Sequence, residues 1–291
     1  MQAEQLTDPV AFHGEGPVWS ERWGGLRFVD MLAGDILSLS ADGAISRRHV
    51  GSVVAAVRPR RRGGAIIGVE RGFALEDTDG ALTVLDELWS DADVRMNEGG
   101  CDPDGRFYCG SMAYDKRPGA ASLYRLDEDG SVHVVLDEVT ISNGLDWNRD
   151  GSLVYYNDTA TYQISVFEYD GEKGFTERRL FVDLSAERLR PDGLTVDAKG
   201  GVWVALSNGG EVRRYTPDGA LDAVIEVPVR KVTACAFGGA RLDQLFITTS
   251  REGSNRAAIS WPERCSGRPS VSTVCRFASS QVSGDHAARS R

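Results

Sequence analysis

The feature that most constrains this chain is a recurrence whose spacing is that of one propeller blade. Six segments share a form in which a glycine-containing opening leads into an alternating apolar run, a polar turn and a second apolar run. They begin at Glu15 (EGPVWSERWGGLRFVD), Gly63 (GGAIIGVERGFALED), Glu98 (EGGCDPDGRFYCGSM), Asn143 (NGLDWNRDGSLVYYND), Asp192 (DGLTVDAKGGVWVALS) and Thr233 (TACAFGGARLDQLFITTS), at separations of 48, 35, 45, 49 and 41 residues. Period-2 runs such as VWVAL and LVYYN, rich in Val, Tyr and Trp, read as strands, and the DPDG, NRDG and DAKG joints supply hairpin turns. Further Asp-Gly turns at 42–43, 79–80, 129–130 and 218–219 separate the outer strands of each unit. Four short strands with two apolar faces cannot bury both alone, so units of this kind stack around a ring. The expected fold is all-β, a six-bladed β-propeller.

After Gly253 the pattern stops. Residues 253 to 291 hold nine Ser and six Arg against two acidic residues, with no alternation. The propeller is therefore assigned to residues 1–253, and 254–291 is read as a disordered tail. Without a closing strand in that tail, the last blade is expected to be incomplete.

Several function classes lose support. The net charge of −10 repels phosphate backbones and anionic headgroups, so neither nucleic acid nor membrane is an expected partner, and nothing calls for a protein partner. The longest apolar stretches, such as SVVAAV at 52 to 57, fall far short of the roughly 18 residues of a membrane span. No basic, apolar leader opens the chain, and the five cysteines include no C-x-x-C pair, which together predict a reducing, cytoplasmic setting. The four histidines are scattered, and TISNG at 140 to 144 and ALSNG at 205 to 209 both lack the first glycine of a nucleophile elbow. There is no phosphate-binding glycine loop. Chemistry must rest on carboxylates, amides and an oxygen-ligated cation.

In a propeller the first strand of each blade lines the central channel, so repeat-equivalent residues converge on one axis. The residue before the repeat-opening glycine is Glu15, Glu98, Asn143 and Asp192 in four of the six units, all oxygen donors. Asp, Asn and Glu before Gly are also ordinary turn formers, and repeats copy their turns. Four in register nevertheless suggest a site for a hard cation, which selects such oxygens over imidazole or thiolate. Asp158, after the strand in YYNDT, is a second acid that could face the channel. The run RPRRRGG at 58 to 64 reads as a solvated hairpin, and Trp19, Trp147 and Trp203 as blade-packing residues.

At these positions the sequence resembles the SMP-30/gluconolactonase family, which includes regucalcin and bacterial sugar lactonases. The resemblance is carried by GEGPVW (14 to 19), FVD (28 to 30), RMNEGG with CDPDGRFYCGSM (95 to 112), ISNGLDW (141 to 147), PDG (191 to 193), VWVALSNGG (202 to 210) and ACAFGG (234 to 239), in the family's order. It implies one divalent cation (Ca²⁺, Mn²⁺, Mg²⁺ or Zn²⁺) at the channel mouth, held by Glu15, Asn143 and Asp192. It places the family's substrate-contacting pair on Arg95 and Asn97, where this chain has Glu98 in place of the usual Asp. The loop after Met112 is shorter than in regucalcin, so lid contacts do not carry over. The implied activity is hydrolysis of a sugar lactone, with Asp192 as general base. A calcium-binding propeller that regulates without catalysis is the alternative.

Overall fold

The computed structural model describes residues 1–253 and the backbone of 275–278. It is an all-β propeller whose only helices among the described residues are three single 3-10 turns. Strands group into six four-stranded antiparallel sheets. The first comprises Gly14–Ser20, Gly25–Asp30, Asp35–Ser40 and Ile45–His49 in sequence order, and the next four sheets repeat that order. The innermost strands are Gly14–Ser20, Val54–Pro59, Val94–Cys101, Ser142–Trp147, Pro191–Val196 and Val232–Gly238. Each packs on its two neighbours, the last returning to the first, so together they wall one channel.

The Asp-Gly joints do what turn chemistry asks of them. Gly43, Gly80, Gly130 and Gly219 all sit at φ between 84 and 88°, which a side chain would resist. The apolar faces meet between sheets. Trp147 lies within an aromatic cluster with Tyr108, Tyr169 and Phe175, Trp203 meets Phe237 edge-on, and Trp19 stacks on Phe246. Truncating a buried aromatic in such a setting costs about 3–5 kcal/mol.

Two expectations are corrected. The second sheet begins at Val54–Pro59, not at Gly63, so the second unit was read one strand late. That inner strand opens with Val and Ala only, its one charged residue, Arg58, coming near its end, so no polar residue marks its start. The last sheet is not short of strands: the backbone of Cys275–Ala278 pairs with Gln244–Thr249 on one side and with Glu4–Gln5 on the other. The tail's remaining residues, on which the expectation of disorder also falls, lie outside the described residues.

Candidate active site

All six inner strands break register with their neighbour near the same end. The shift falls at or beside Glu15, Ala55, Asn97, Asn143, Asp192 and Thr233. A β-bulge re-aims the side chain it carries, and here it does so once per sheet around one axis. Five of those six residues are polar, and the alanine belongs to the unit that lacks a donor. The third unit is thereby corrected by one residue: Asn97, not Glu98, is the equivalent of Asn143 and Asp192. Glu98 occupies the place of Gly16, Gly144 and Gly193.

Those glycines let the strands close in. A Cβ on Gly144 would stand 2.4 Å from the Asp192 carbonyl oxygen, and one on Gly193 would stand 2.4 Å from the Ala234 Cβ. Side-chain bonds then tie strand to strand around the channel. Asn97 Nδ2 donates to the Ser142 carbonyl at 2.8 Å, Asn157 Nδ2 to the Asp192 carbonyl at 2.8 Å, and Thr233 Oγ1 to the Gly14 carbonyl at 2.6 Å.

Glu15, Asn143, Asp192, Arg95, Asn97 and Glu98 are all between 4 and 6% exposed. Burial raises the Asp192 carboxyl to about 7, with Glu98 adding to the rise and Lys231 opposing it. Burial likewise holds Glu15 well above the usual carboxylate range, and the Asp192 and Glu98 carboxyls push it in the same direction. Asn143 and Ser207 face the Asp192 carboxylate, yet Asp192 Oδ1 and Asn143 Oδ1 are both buried without a hydrogen-bond partner. Among the described residues, Glu15 accepts only from the adjacent Gly16 amide, at 3.3 Å. Unpartnered buried oxygens are costly, and two carboxylates with one amide fit a hard divalent cation. Among the described residues no three His, Cys, Asp or Glu side chains cluster as metal ligands, so a cation here depends on the Asn143 amide as well.

Arg95 Nη1 donates to Asn97 Oδ1 at 2.8 Å and to the Met96 carbonyl at 2.9 Å, while its buried Nε has no partner. The Tyr114 ring lies 5.6 Å from its guanidinium carbon.

Three neighbours escaped the sequence reading. His13 lies with Nε2 3.7 Å from Glu15 Oε1 and Nδ1 2.5 Å from Ser250 Oγ. Burial, with Lys231 next, lowers its pKa to about 3, so a neutral imidazole faces Glu15 and no ion pair forms between them. Lys231 pairs with Glu252. Arg58 is not part of a solvated hairpin: it reaches the Gly16 carbonyl at 3.2 Å and Glu98 at 3.4 Å. Asp158 is no channel acid. Its carboxylate accepts the backbone amides of Thr140 and Ile141, each at 2.9 Å, as Asp30 accepts those of Phe12 and His13 at 3.0 and 2.9 Å. Both are clamps on the chain entering an inner strand. A cavity of about 440 Å³ at the opposite end of the inner strands, lined by Trp19, Arg58, Asp146 and Trp147, includes none of the three donors.

Comparison with known proteins accords with this geometry. Residues 13–251 match the model of the SMP-30/Gluconolactonase/LRE-like region. The regucalcin of Danio rerio is 34% identical over 252 residues, covering 84% of this chain and 85% of that protein. The crystal structure of a calcium-binding protein, regucalcin, from Agrobacterium tumefaciens superposes with a TM-score of 0.86 at 27% identity, over 94% of this chain and 92% of the other. A gluconolactonase from Xanthomonas campestris shares the fold, with a TM-score of 0.74 at 22% identity over 94% of this chain and 89% of its own. A match that spans every inner strand and all the bulge residues leads to one conclusion: this chain belongs to the SMP-30/gluconolactonase/LRE-like family.

Proposed function

We propose that this protein is a metal-dependent sugar lactonase, its six sheets forming the six blades of one closed ring. The observation that carries the reading is the pair of buried, unpartnered oxygens, Asn143 Oδ1 and Asp192 Oδ1, on the channel wall that also carries Arg95. Glu15, Asn143 and Asp192 would hold the cation, which when bound supplies Lewis acidity to the ester carbonyl and its attacking water. Asp192 accepts the proton of that water as its oxygen bonds to the carbonyl carbon. Burial raises its pKa in the cation-free protein, and a bound dication lowers it again, leaving an ionised carboxylate to take the proton. The ring C–O bond then breaks, the ring oxygen leaves as a hydroxyl carrying that proton, and the product is an open hydroxy acid. Arg95, oriented by Asn97, donates to the substrate's oxygens, and Asn97 is itself fixed by its bond to the Ser142 carbonyl.

A second reading is a calcium-binding propeller that regulates without catalysis, favoured by the likeness to the Agrobacterium tumefaciens protein described as calcium-binding. Neither reading needs nucleic acid, a membrane or a protein partner. Among the described residues no helix is long and apolar enough to cross a membrane, and the described cysteines are free, in keeping with a cytoplasmic setting. Assay of pentono- and hexonolactones with Ca²⁺, Mn²⁺, Mg²⁺ and Zn²⁺ separates the two. The lactonase reading fails if folded, cation-loaded protein hydrolyses none of them above the spontaneous rate.

A further inference from the structure

Arg95 is 6% exposed, and its hydrogen bonds gather on one nitrogen. Nη1 donates to Asn97 Oδ1, to the Met96 carbonyl and to the Met31 sulfur, while the buried Nε has no partner. Among the described residues Nη2 has none either, which leaves it as the donor for a ligand. Bonds collected at one corner locate that corner of a guanidinium but do not by themselves set the tilt of its plane.

Tyr114 supplies the missing constraint. Its ring centroid lies 5.6 Å from the Arg95 guanidinium carbon, within the range of a cation–π contact. The strand Phe107–Ala113 delivers it there: Met112 pairs with Arg95 and Ala113 with Val94, and the Tyr114 amide donates to the Asp93 carbonyl at 2.9 Å. The ring is 44% exposed, so packing alone does not hold it. Glu70 does. The Tyr114 hydroxyl donates to Glu70 Oε1 at 2.7 Å, and Ser52 Oγ donates to the other carboxylate oxygen at 2.7 Å. The Glu70 carbonyl accepts the Met96 amide at 2.7 Å, so one residue grips both the ring and the strand that carries Arg95.

The protonation states suit this latch. Burial pushes the Glu70 carboxyl up, but the bonds from Ser52 and Tyr114 and the charges of Arg71 and Arg95 bring it below its ordinary value. Burial, and then the bond to Glu70, raise the Tyr114 phenol to about 12. The phenol is therefore the donor and an ionised carboxylate the acceptor, the stronger kind of hydrogen bond.

We propose that Tyr114 is a positioning residue for Arg95: latched by Glu70, its ring holds the guanidinium plane so that Nη2 meets the substrate's oxygens. The inference rests on the lactonase reading for what Arg95 does, and adds a residue that reading does not use.

The test is a double-mutant cycle on kcat/KM for lactone hydrolysis, with Tyr114→Leu and Arg95→Met alone and together. Tyr114→Leu should lower kcat/KM about tenfold in the native background, within the reach of a cation–π contact to a desolvated group. Where Arg95 is already Met, it should change kcat/KM by less than about twofold. Tyr114→Phe, which keeps the ring and drops the latch, should fall between native protein and Tyr114→Leu. Cation affinity, read by calorimetry, should not move in any of them. Additive losses overturn the proposal, because Tyr114 would then act on the substrate without Arg95, and so does a Tyr114→Leu protein as active as the native one. Tyr114→Phe equal to native overturns the part given to Glu70; Tyr114→Phe as poor as Tyr114→Leu overturns the part given to the ring.

A second readout needs no turnover. In protein carrying isotopically labelled arginine, the Arg95 Nε–H signal is identified by its absence in Arg95→Met. Its relaxation should report a rigid side chain in native protein and a mobile one in Tyr114→Leu. If no lactone is hydrolysed the lactonase reading falls separately, and this measurement decides, as it does where Arg95→Met leaves too little turnover to measure. An Arg95 side chain equally rigid in Tyr114→Leu and native protein overturns the positioning role.

Discussion

Asn143 and Thr159 fix one another. The Asn143 Nδ2 donates to Thr159 Oγ1 at 3.0 Å, and the same hydroxyl donates onward to the Pro191 carbonyl at 2.7 Å. With its nitrogen engaged, the amide turns its oxygen the other way, and the residue beside Asp192 is anchored by the same relay. Thr159→Val should therefore loosen two donors at once. We expect cation affinity to fall about tenfold, the equivalent of about 1.4 kcal/mol, with a loss of folding stability of about 1–2 kcal/mol. Calorimetric titration and denaturant melts read the two effects. Unchanged affinity would mean that the amide is oriented by something other than Thr159.

Asp192→Asn preserves an oxygen ligand and removes the proton acceptor. Turnover should drop by about 10²- to 10⁴-fold, while cation affinity drops far less. A parallel loss of both would make Asp192 a ligand and not a base.

The cation-free protein should lose stability as pH rises. An acid whose pKa rises on folding favours the fold most below its ordinary value and loses that contribution as pH climbs through the folded value. For Asp192 the window runs from 3.8 to about 7, and Glu15 acts in the same direction. A bound dication reverses the balance by favouring both ionised carboxylates. Tm of chelator-treated protein should fall across that window, and the Tm gain on adding Ca²⁺ should be larger at pH 8 than at pH 5.5. Equal gains at both would show that the carboxyls are already ionised in the free protein.

Asp30→Ala and Asp158→Ala should both destabilise, since each removes the acceptor of two backbone amides that lead into an inner strand, and Asp30→Ala should cost the more because Asp30 also pairs with Arg47. Each is expected to cost about 2 kcal/mol or more in stability. If Asp158→Ala instead abolished turnover with no change in melting, Asp158 would be the second channel acid after all.

How far the sequence reveals this molecule depends on where each contact comes from. Turns and alternation are local, so the Asp-Gly joints disclose the repeat directly, and Glu15, Asn143 and Asp192 stand out because each shares its bulge with a glycine, required by close strand packing at Gly144 and Gly193 and by a φ of 51° at Gly16. Val54–Pro59 has no such signal, since the Val and Ala run that opens it resembles any buried strand, and its unit is read one strand late. In the third unit the glycine pair after Glu98 drew the register one residue past Asn97. Arg58 looks like part of a basic run until its true partner, Glu98, is seen on the neighbouring inner strand. His13, Ser250 and Lys231 come from chain segments that lead into or out of strands, and they meet only where the ring closes. The strand Cys275–Ala278 follows a segment with no alternation, which is why the last blade read as incomplete.

Ring closure also has a consequence for how the protein is made. The Thr233 bond to the Gly14 carbonyl and the His13 bond to Ser250 join residues 219 and 237 positions apart. At a translation rate of about 5–20 residues per second, the first sheet waits on the order of ten seconds or more for the partner that covers its open flank. During that interval its apolar face and its strand edge are available to chaperones or to other nascent chains. Glu15 is made long before Val232–Gly238, and it gains its full set of neighbours only when that last inner strand arrives. A fragment ending before Thr233 therefore carries Glu15, Asn143 and Asp192 without the strand that closes the ring of inner strands around them.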